Sequence, residues 1–287
     1  MRSPIVWFGG KGRMQSKILP YLTRWPHNIY VEPFGGGASM LFAKLPSPVE
    51  VYNDLDSGLY HFFTTLADPI AFAKFYRRVR PLLYSRELYN KCRATRNSED
   101  DPIWRAVKWF VVARMSFSGK FGMSWGSSIT ISTHGMASTS SNWMAIIDLL
   151  PQIHKRISSV QIENDDWRTI LKRYDTSNTL FYCDPPYVPE TRRAGKYECE
   201  LTAEDHKELV DVLQNIDGAA VISGYPNDIY NRLDDWLYIE FKTVCNATGK
   251  TRGTDILGRG SALAKQPRTE FLRIHPKIMK ADRHSFF

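Results

Sequence analysis

No stretch of this sequence approaches the roughly 18 apolar residues that a membrane-spanning helix needs, and Arg2, Ser3 and Pro4 lead into no apolar secretory segment. A soluble, cytoplasmic protein is expected. Cysteine is scarce: the four among 287 residues, Cys92, Cys183, Cys199 and Cys245, lie far apart without metal-ligand spacing. Neither a zinc site nor a disulfide framework is expected, only reduced thiols. The seven histidines show no paired spacing, so none is assigned as metal ligand or base. There is no internal repeat. What the chain does hold is apolar surface, at 43% of its residues. That is too much for disorder and enough for one large core or two unequal ones.

Negative charge is also in short supply. Thirty-eight Lys and Arg stand against 30 Asp and Glu, a net +8 that favours a polyanionic partner. With no basic amphipathic anchor for an anionic membrane, nucleic acid is the favoured partner. Residues 57–149 carry twelve of the basic side chains against six acidic ones, so +6 of the excess sits in one third of the chain. The electrostatic footprint is expected there.

Short β-branched or aromatic runs bounded by turn residues predict strands over 28–32, 49–52, 160–163, 179–183, 219–223, 238–244 and 269–275. Helices are predicted over 38–45, 202–215 and 227–236, the second opened by Thr202 and Asp205 in capping-box spacing. This alternation implies an α/β fold with a mostly parallel sheet covered on both faces. Residues 57–149 break it. Their first part, 59–112, reads as helices interrupted at Pro69, Pro81 and Pro102, while 116–142, with nine serines, reads as a surface loop or hairpin. The expected organisation is a domain of residues 1–56 and 150–287 carrying an insertion over 57–149.

The strongest chemical signal is Asp184-Pro185-Pro186-Tyr187, directly after an apolar strand. A proline-rich turn is the plain reading, yet in open α/β sheets ligands bind beyond the carboxyl ends of strands, where this tetrapeptide projects. Two prolines remove two backbone donors, their carbonyls remain acceptors, and Asp184 adds a charged acceptor. Such a stiff corner suits a ligand donating two N–H bonds. The exocyclic amine of a nucleobase is one, and accepting both its hydrogens, on Asp184 and the Pro185 carbonyl, would aim its lone pair at an electrophile. Tyr187 offers a stacking face worth roughly 1–3 kcal/mol, comparable to the cost of extruding a base from a duplex.

A second signal is Tyr30-Val31-Glu32-Pro33-Phe34-Gly35-Gly36-Gly37-Ala38-Ser39, a strand running into three glycines and a helix. It is not the dinucleotide fingerprint. Asp54, past the next strand, is either an ordinary turn aspartate or an acceptor for ribose hydroxyls. Together the two features point to a nucleoside-bearing cofactor without a pyrophosphate. Cys183 reads as core, and most of the eight tryptophans as packing residues.

Trp7-Phe8-Gly9-Gly10-Lys11, Glu32-Pro33-Phe34 with its glycines, Asp54 and Asp184-Pro185-Pro186-Tyr187, in that order, resemble the successive motifs of the D12 class, or Dam-like, N6-adenine DNA methyltransferases. The resemblance covers most of the chain. It implies a Rossmann-like methyltransferase sheet, S-adenosylmethionine as cofactor, double-stranded DNA as partner, base flipping, and a place in restriction–modification. It further implies catalytic roles for Asp184, Pro185, Pro186 and Tyr187, and cofactor contacts from Trp7, Lys11, Glu32, Phe34, Gly36 and Asp54. An acid of the 163–167 segment, Asp166 or Asp165, would meet the cofactor adenine. Ala38 stands where the family has a second loop glycine. In the family the insertion binds target DNA through a helical part and a hairpin, which makes Arg114, Ser118, Lys120, Ser124 and Trp125 the DNA-contact candidates. Cytosine N4, an amine on RNA or protein, and a silent DNA-binding scaffold remain as rival readings.

Overall fold

The computed structural model of the chain describes residues 1–7, 9–132, 135–187, 200–244 and 267–281. Its strands are β1 (Ile29–Glu32), β2 (Val49–Asn53), β3 (Gln161–Glu163), β4 (Thr179–Cys183), β5 (Ala219–Gly224), β6 (Leu237–Val244) and β7 (Pro267–Ile274). They form one sheet in the order β3-β2-β1-β4-β5-β7-β6, parallel except for β7, which runs against both neighbours. Strands β1, β2 and β3 are laid down outward on one side and β4 and β5 on the other, where β7 then inserts between β5 and the edge strand β6. The strand order therefore reverses between β1 and β4, which opens a crevice at their carboxyl ends.

Period-two alternation sorts the strand side chains between two cores. Tyr30, Tyr52, Leu180, Tyr182 and Val221 face one cluster, while Val31, Val51, Phe181, Cys183 and Ile222 face the other. The second face is covered by α8 (Trp167–Tyr174) and α9 (Ala203–Gln214). On the first lie α1 (Gln15–Arg24), α2 (Ser39–Ala43), α3 (Ser57–Ala67), α4 (Pro69–Val79), α5 (Arg86–Thr95), α6 (Pro102–Met115), α7 (Ser138–Ile157) and α10 (Pro276–Lys280). Residues 57–149 thus pack into the same apolar cluster as the sheet, and position 149 falls inside α7.

Local chemistry explains the element starts. Asp56, Asp68, Ser85 and Asp101 cap α3, α4, α5 and α6 by accepting backbone N–H groups. Pro69 and Pro102 begin helices, where a missing N–H costs nothing. The capping box of Thr202 and Asp205 is formed at α9.

Three expectations are corrected. Residues 227–236 form only a short 3-10 turn, Asp228–Arg232, opened by Asn227. The helix after the glycine loop stops at Ala43, because the backbone is already extended at Lys44. The 116–142 segment holds isolated bridges, Ser116 with Trp125 and Ile131 with Ala137, and its last residues are the first turn of α7. Cys92 and Cys183 are free and buried, while Cys199 and Cys245, like Phe8 of the first motif, lie outside the described residues. No helix among the described residues is long and apolar enough to cross a membrane.

Candidate active site

The turn after β1 lies against the turn after β2. Gly35 N donates to Asn53 O at 2.7 Å, Gly36 N to Asp54 Oδ2 at 2.7 Å, and the Tyr52 hydroxyl to Gly36 O at 2.8 Å. Only glycine fits at position 35, where a Cβ would come within 2.2 Å of the Tyr52 ring. Gly36 takes a φ of +48°, natural for glycine, and Ala38 follows in the left-handed region at φ +54°. A third turn joins through Asn53, which donates to Asp165 O at 3.0 Å and accepts from Asp165 N at 2.9 Å.

These turns wall a cavity of about 720 Å³ that continues to Asp184. Trp7, Lys11, Glu32, Phe34, Gly36, Asp54, Asp165 and Asp166 all line it. Glu32 is buried, accepts from the Tyr30 hydroxyl at 2.8 Å, and has its carboxyl pushed up to about 8 by that burial. Burial also raises Asp54, to about 6, against the pull of the Asp56 and Gly36 N–H groups. Both carboxylates invite a cationic or hydroxyl-bearing ligand, since ionising each in isolation is costly.

At the end of β4, Asp184 Oδ1 receives the Lys11 ammonium at 2.7 Å and the Ser223 hydroxyl at 2.9 Å. Lys11 Nζ also donates to Gly9 O at 3.1 Å and to the Tyr187 hydroxyl, and lies 3.8 Å from Glu270 Oε2. Burial alone would lower the Lys11 pKa, but Asp184 and Glu270 outweigh it and hold the group above its ordinary value. Tyr187 is buried and packs on Tyr225 at 4.1 Å between ring centroids. Pro185 is buried beside it, and Pro186 lines the cavity. Lys11, named on resemblance as a cofactor contact, thus places its charge on the Asp184 corner.

At the far rim Asp166 caps α8 and pairs with Arg168 at 3.3 Å, while Asp165 pairs with Arg173 at 3.1 Å. Of the DNA-contact candidates, Lys120 lines the cavity and Ser118 and Ser124 are exposed. Trp125 packs on Tyr84 at 5.4 Å under the Arg86 guanidinium. Arg114 is largely enclosed, so burial lowers its pKa to about 10. Sequence reasoning missed Ser223, Tyr225 and Glu270. The first two follow the apolar β5 run just as Asp184 follows β4, a signal that could have been used; Glu270, inside β7, offered none. Trp7 was found, but not its setting: it stacks on Trp109 at 5.7 Å and meets Phe121 at 5.6 Å, both from the insertion. Among the described residues no cluster of His, Cys, Asp or Glu could hold a metal ion.

The profile of the D12 class N6 adenine-specific DNA methyltransferases matches residues 7–245, and the chain belongs to that family. It is an adenine-specific DNA methyltransferase, with DNA as substrate. Over 261 residues it is 23% identical to Type II methyltransferase M1.LlaDCHI of Lactococcus lactis subsp. cremoris, covering 88% of this chain and 90% of that protein. Membership settles the rivals: the target is adenine in DNA, and the protein is an enzyme.

Proposed function

We propose that this chain moves a methyl group from S-adenosylmethionine to N6 of an adenine flipped out of duplex DNA. The observation that carries this is continuity: the Asp184 corner and the glycine-walled, acid-lined pocket are two ends of one cavity. The residues present fit the cofactor. Gly36 and Gly37 leave bare backbone beside Trp7, Asp54 is placed for ribose hydroxyls, and buried Glu32 suits the cationic amino-acid end. Trp7, Phe34 and Gly36 would complete the hold, with Asp165 and Asp166 at the adenine end. When bound, S-adenosylmethionine supplies an electrophilic methyl carbon on a charged sulfur.

The protein's own part is position and charge. Asp184 and the Pro185 carbonyl accept the two N6 hydrogens, which turns the nitrogen lone pair toward the pocket. Lys11 and Ser223 fix the Asp184 carboxylate, and Tyr187, now packed between Tyr225 and Lys11, is the aromatic that would stack on the extruded ring once its packing opens. Asp184 need not act as a strong base, because the amine becomes far more acidic once methylated. By likeness to the lactococcal protein, a Type II, restriction–modification role is part of the same proposal. Asp184→Ala is expected to lower turnover by roughly a thousandfold while calorimetry still registers S-adenosylmethionine binding; turnover near that of the parent would defeat the assignment.

A further inference from the structure

The Asp184 corner holds one cation and two carboxylates. Lys11 Nζ lies 2.7 Å from Asp184 Oδ1 and 3.8 Å from Glu270 Oε2, and only 3% of the lysine side chain is exposed. Glu270 also accepts from the Tyr187 hydroxyl at 3.5 Å, the same hydroxyl to which Lys11 donates. Yet Glu270 forms no part of the cavity wall. Its place follows from strand direction. β7 runs against β5 with Phe271 opposite Gly224 and Leu272 opposite Ser223, so Glu270, one residue earlier, emerges at the carboxyl end of the parallel strands. Alternation puts it on the same face as Leu272, which shares its core cluster with Tyr182.

A count of charges shows what this carboxylate adds. Lys11 and Asp184 alone would make a neutral pair; Glu270 leaves the corner with one negative charge in excess. In the transfer N6 gives its lone pair to the methyl carbon, and the carbon–sulfur bonding pair stays with sulfur. A positive charge then appears on the amine until a proton leaves to water. An anionic corner stabilises that charge where it develops, and a neutral one does so much less. The placement of donors agrees. Lys11 and Ser223 both use Asp184 Oδ1, and among the described residues none donates to Oδ2.

We propose that Glu270 is a positioning residue of the transfer: it shares the Lys11 ammonium with Asp184, so that the corner keeps a net negative charge and Asp184 Oδ2 stays open to the adenine amine. The inference rests on the proposed reaction and adds β7 to the machinery that serves it.

The Lys11 ammonium faces Asp184, Tyr182 and Tyr187 from β4 and the turn after it, the Gly9 carbonyl from its own loop, and Glu270 from β7. Burial opposes the charged lysine, and Asp184 and Glu270 together outweigh it. Glu270→Gln keeps the shape and an acceptor for Tyr187 but removes the charge. In single-turnover transfer from S-adenosylmethionine to duplex DNA, this variant should be about thirtyfold slower near pH 7, with unchanged affinity for cofactor and DNA. The deficit should widen toward about pH 10, because the lysine loses its proton earlier without Glu270. Glu270→Asp, which keeps the charge, should recover most of the rate. In the free protein the ε-carbon NMR signal of labelled Lys11, assigned by its loss in Lys11→Met, should titrate at lower pH in the Gln variant than in the parent. A Gln variant as fast as the parent, a deficit of the same size at every pH, an Asp variant as slow as the Gln one, or a Lys11 titration that does not move would overturn the proposal. So would a loss of S-adenosylmethionine affinity matching the loss in rate, which would make Glu270 a support of the pocket. A parent that transfers no methyl group would defeat the proposed reaction, while the Lys11 titration would still judge the hold of Glu270 on the ammonium.

Discussion

Around Asp184 the functional groups arrive from distant parts of the chain: Lys11 after the first loop, Ser223 from β5, Tyr187 just past β4 and Glu270 from β7. The 116–138 segment is organised the other way, mostly by short-range backbone hydrogen bonds, with Arg86, Arg93 and Arg96 packed at its foot. One region is buried, charged and fixed by long-range pairs, as a site that must hold a reacting amine requires. The other is exposed and uncharged at its tip, so its side chains can change without disturbing a core. Contacts are dense where the reacting group has to be held and sparse in the exposed segment, as is usual for a surface loop.

The largest effect would come from severing the ion network that ties α7 to the sheet carrying the site. Glu50 on β2 is buried, and binds Lys44 at 2.9 Å and, through both oxygens, Arg156 of α7 at 2.5 and 2.9 Å. Glu50→Ala would strand two buried cations, and chemical denaturation should show a loss of about 3–5 kcal/mol; a change below about 1 kcal/mol would mean that the network contributes little. Next comes Gly35→Ala, whose Cβ would press on the Tyr52 ring. Overpacking there is expected to cost about 1–3 kcal/mol, and to weaken S-adenosylmethionine binding because Tyr52 holds Gly36. Unchanged binding by calorimetry would show that the loop is less rigid than described.

A smaller effect depends on pH. Burial raises Glu32 from 4.5 to about 8 and Asp54 from 3.8 to about 6, so the folded state holds these protons more tightly than the unfolded chain. Their contribution to stability is complete below the unfolded values and lost as pH climbs, through about 8 for Glu32 and about 6 for Asp54. Glu32→Gln keeps an acceptor for Tyr30 without ionising. Its melting temperature in the absence of cofactor should exceed that of the parent at pH 8 and match it near pH 4.5; a gain confined to acid would contradict the assignment. The smallest effect is Ala38→Gly, which relieves a left-handed alanine and should stabilise by somewhat under ~1 kcal/mol after the entropic cost of glycine. A destabilised variant would show that the methyl packs well enough to offset its strain.

Much of the scaffold was legible beforehand. The seven strands fall within two residues of their predicted ends, because each is a run of β-branched or aromatic residues bounded by turns. The 227–236 segment was misread: its apolar spacing imitates a helix, but Asn227 caps a single 3-10 turn that ends at Arg232. α1 and α8 went unread, one carrying Pro20 in its interior and the other only eight residues long. The site was legible in its motifs and not in its pairings, since nothing near Lys11 in sequence announces Asp184, 173 positions away.

The sequence by itself determined where strands would lie, where glycine must stand, and that an acceptor-rich corner follows β4, because these are matters of local sterics and side-chain period. Only the tertiary structure decided that Lys11 would pair with both Asp184 and Glu270, and that the insertion would share a core with the sheet. Those outcomes depend on which surfaces meet when the chain closes, and burial and charge pairing between distant residues exist only after it has.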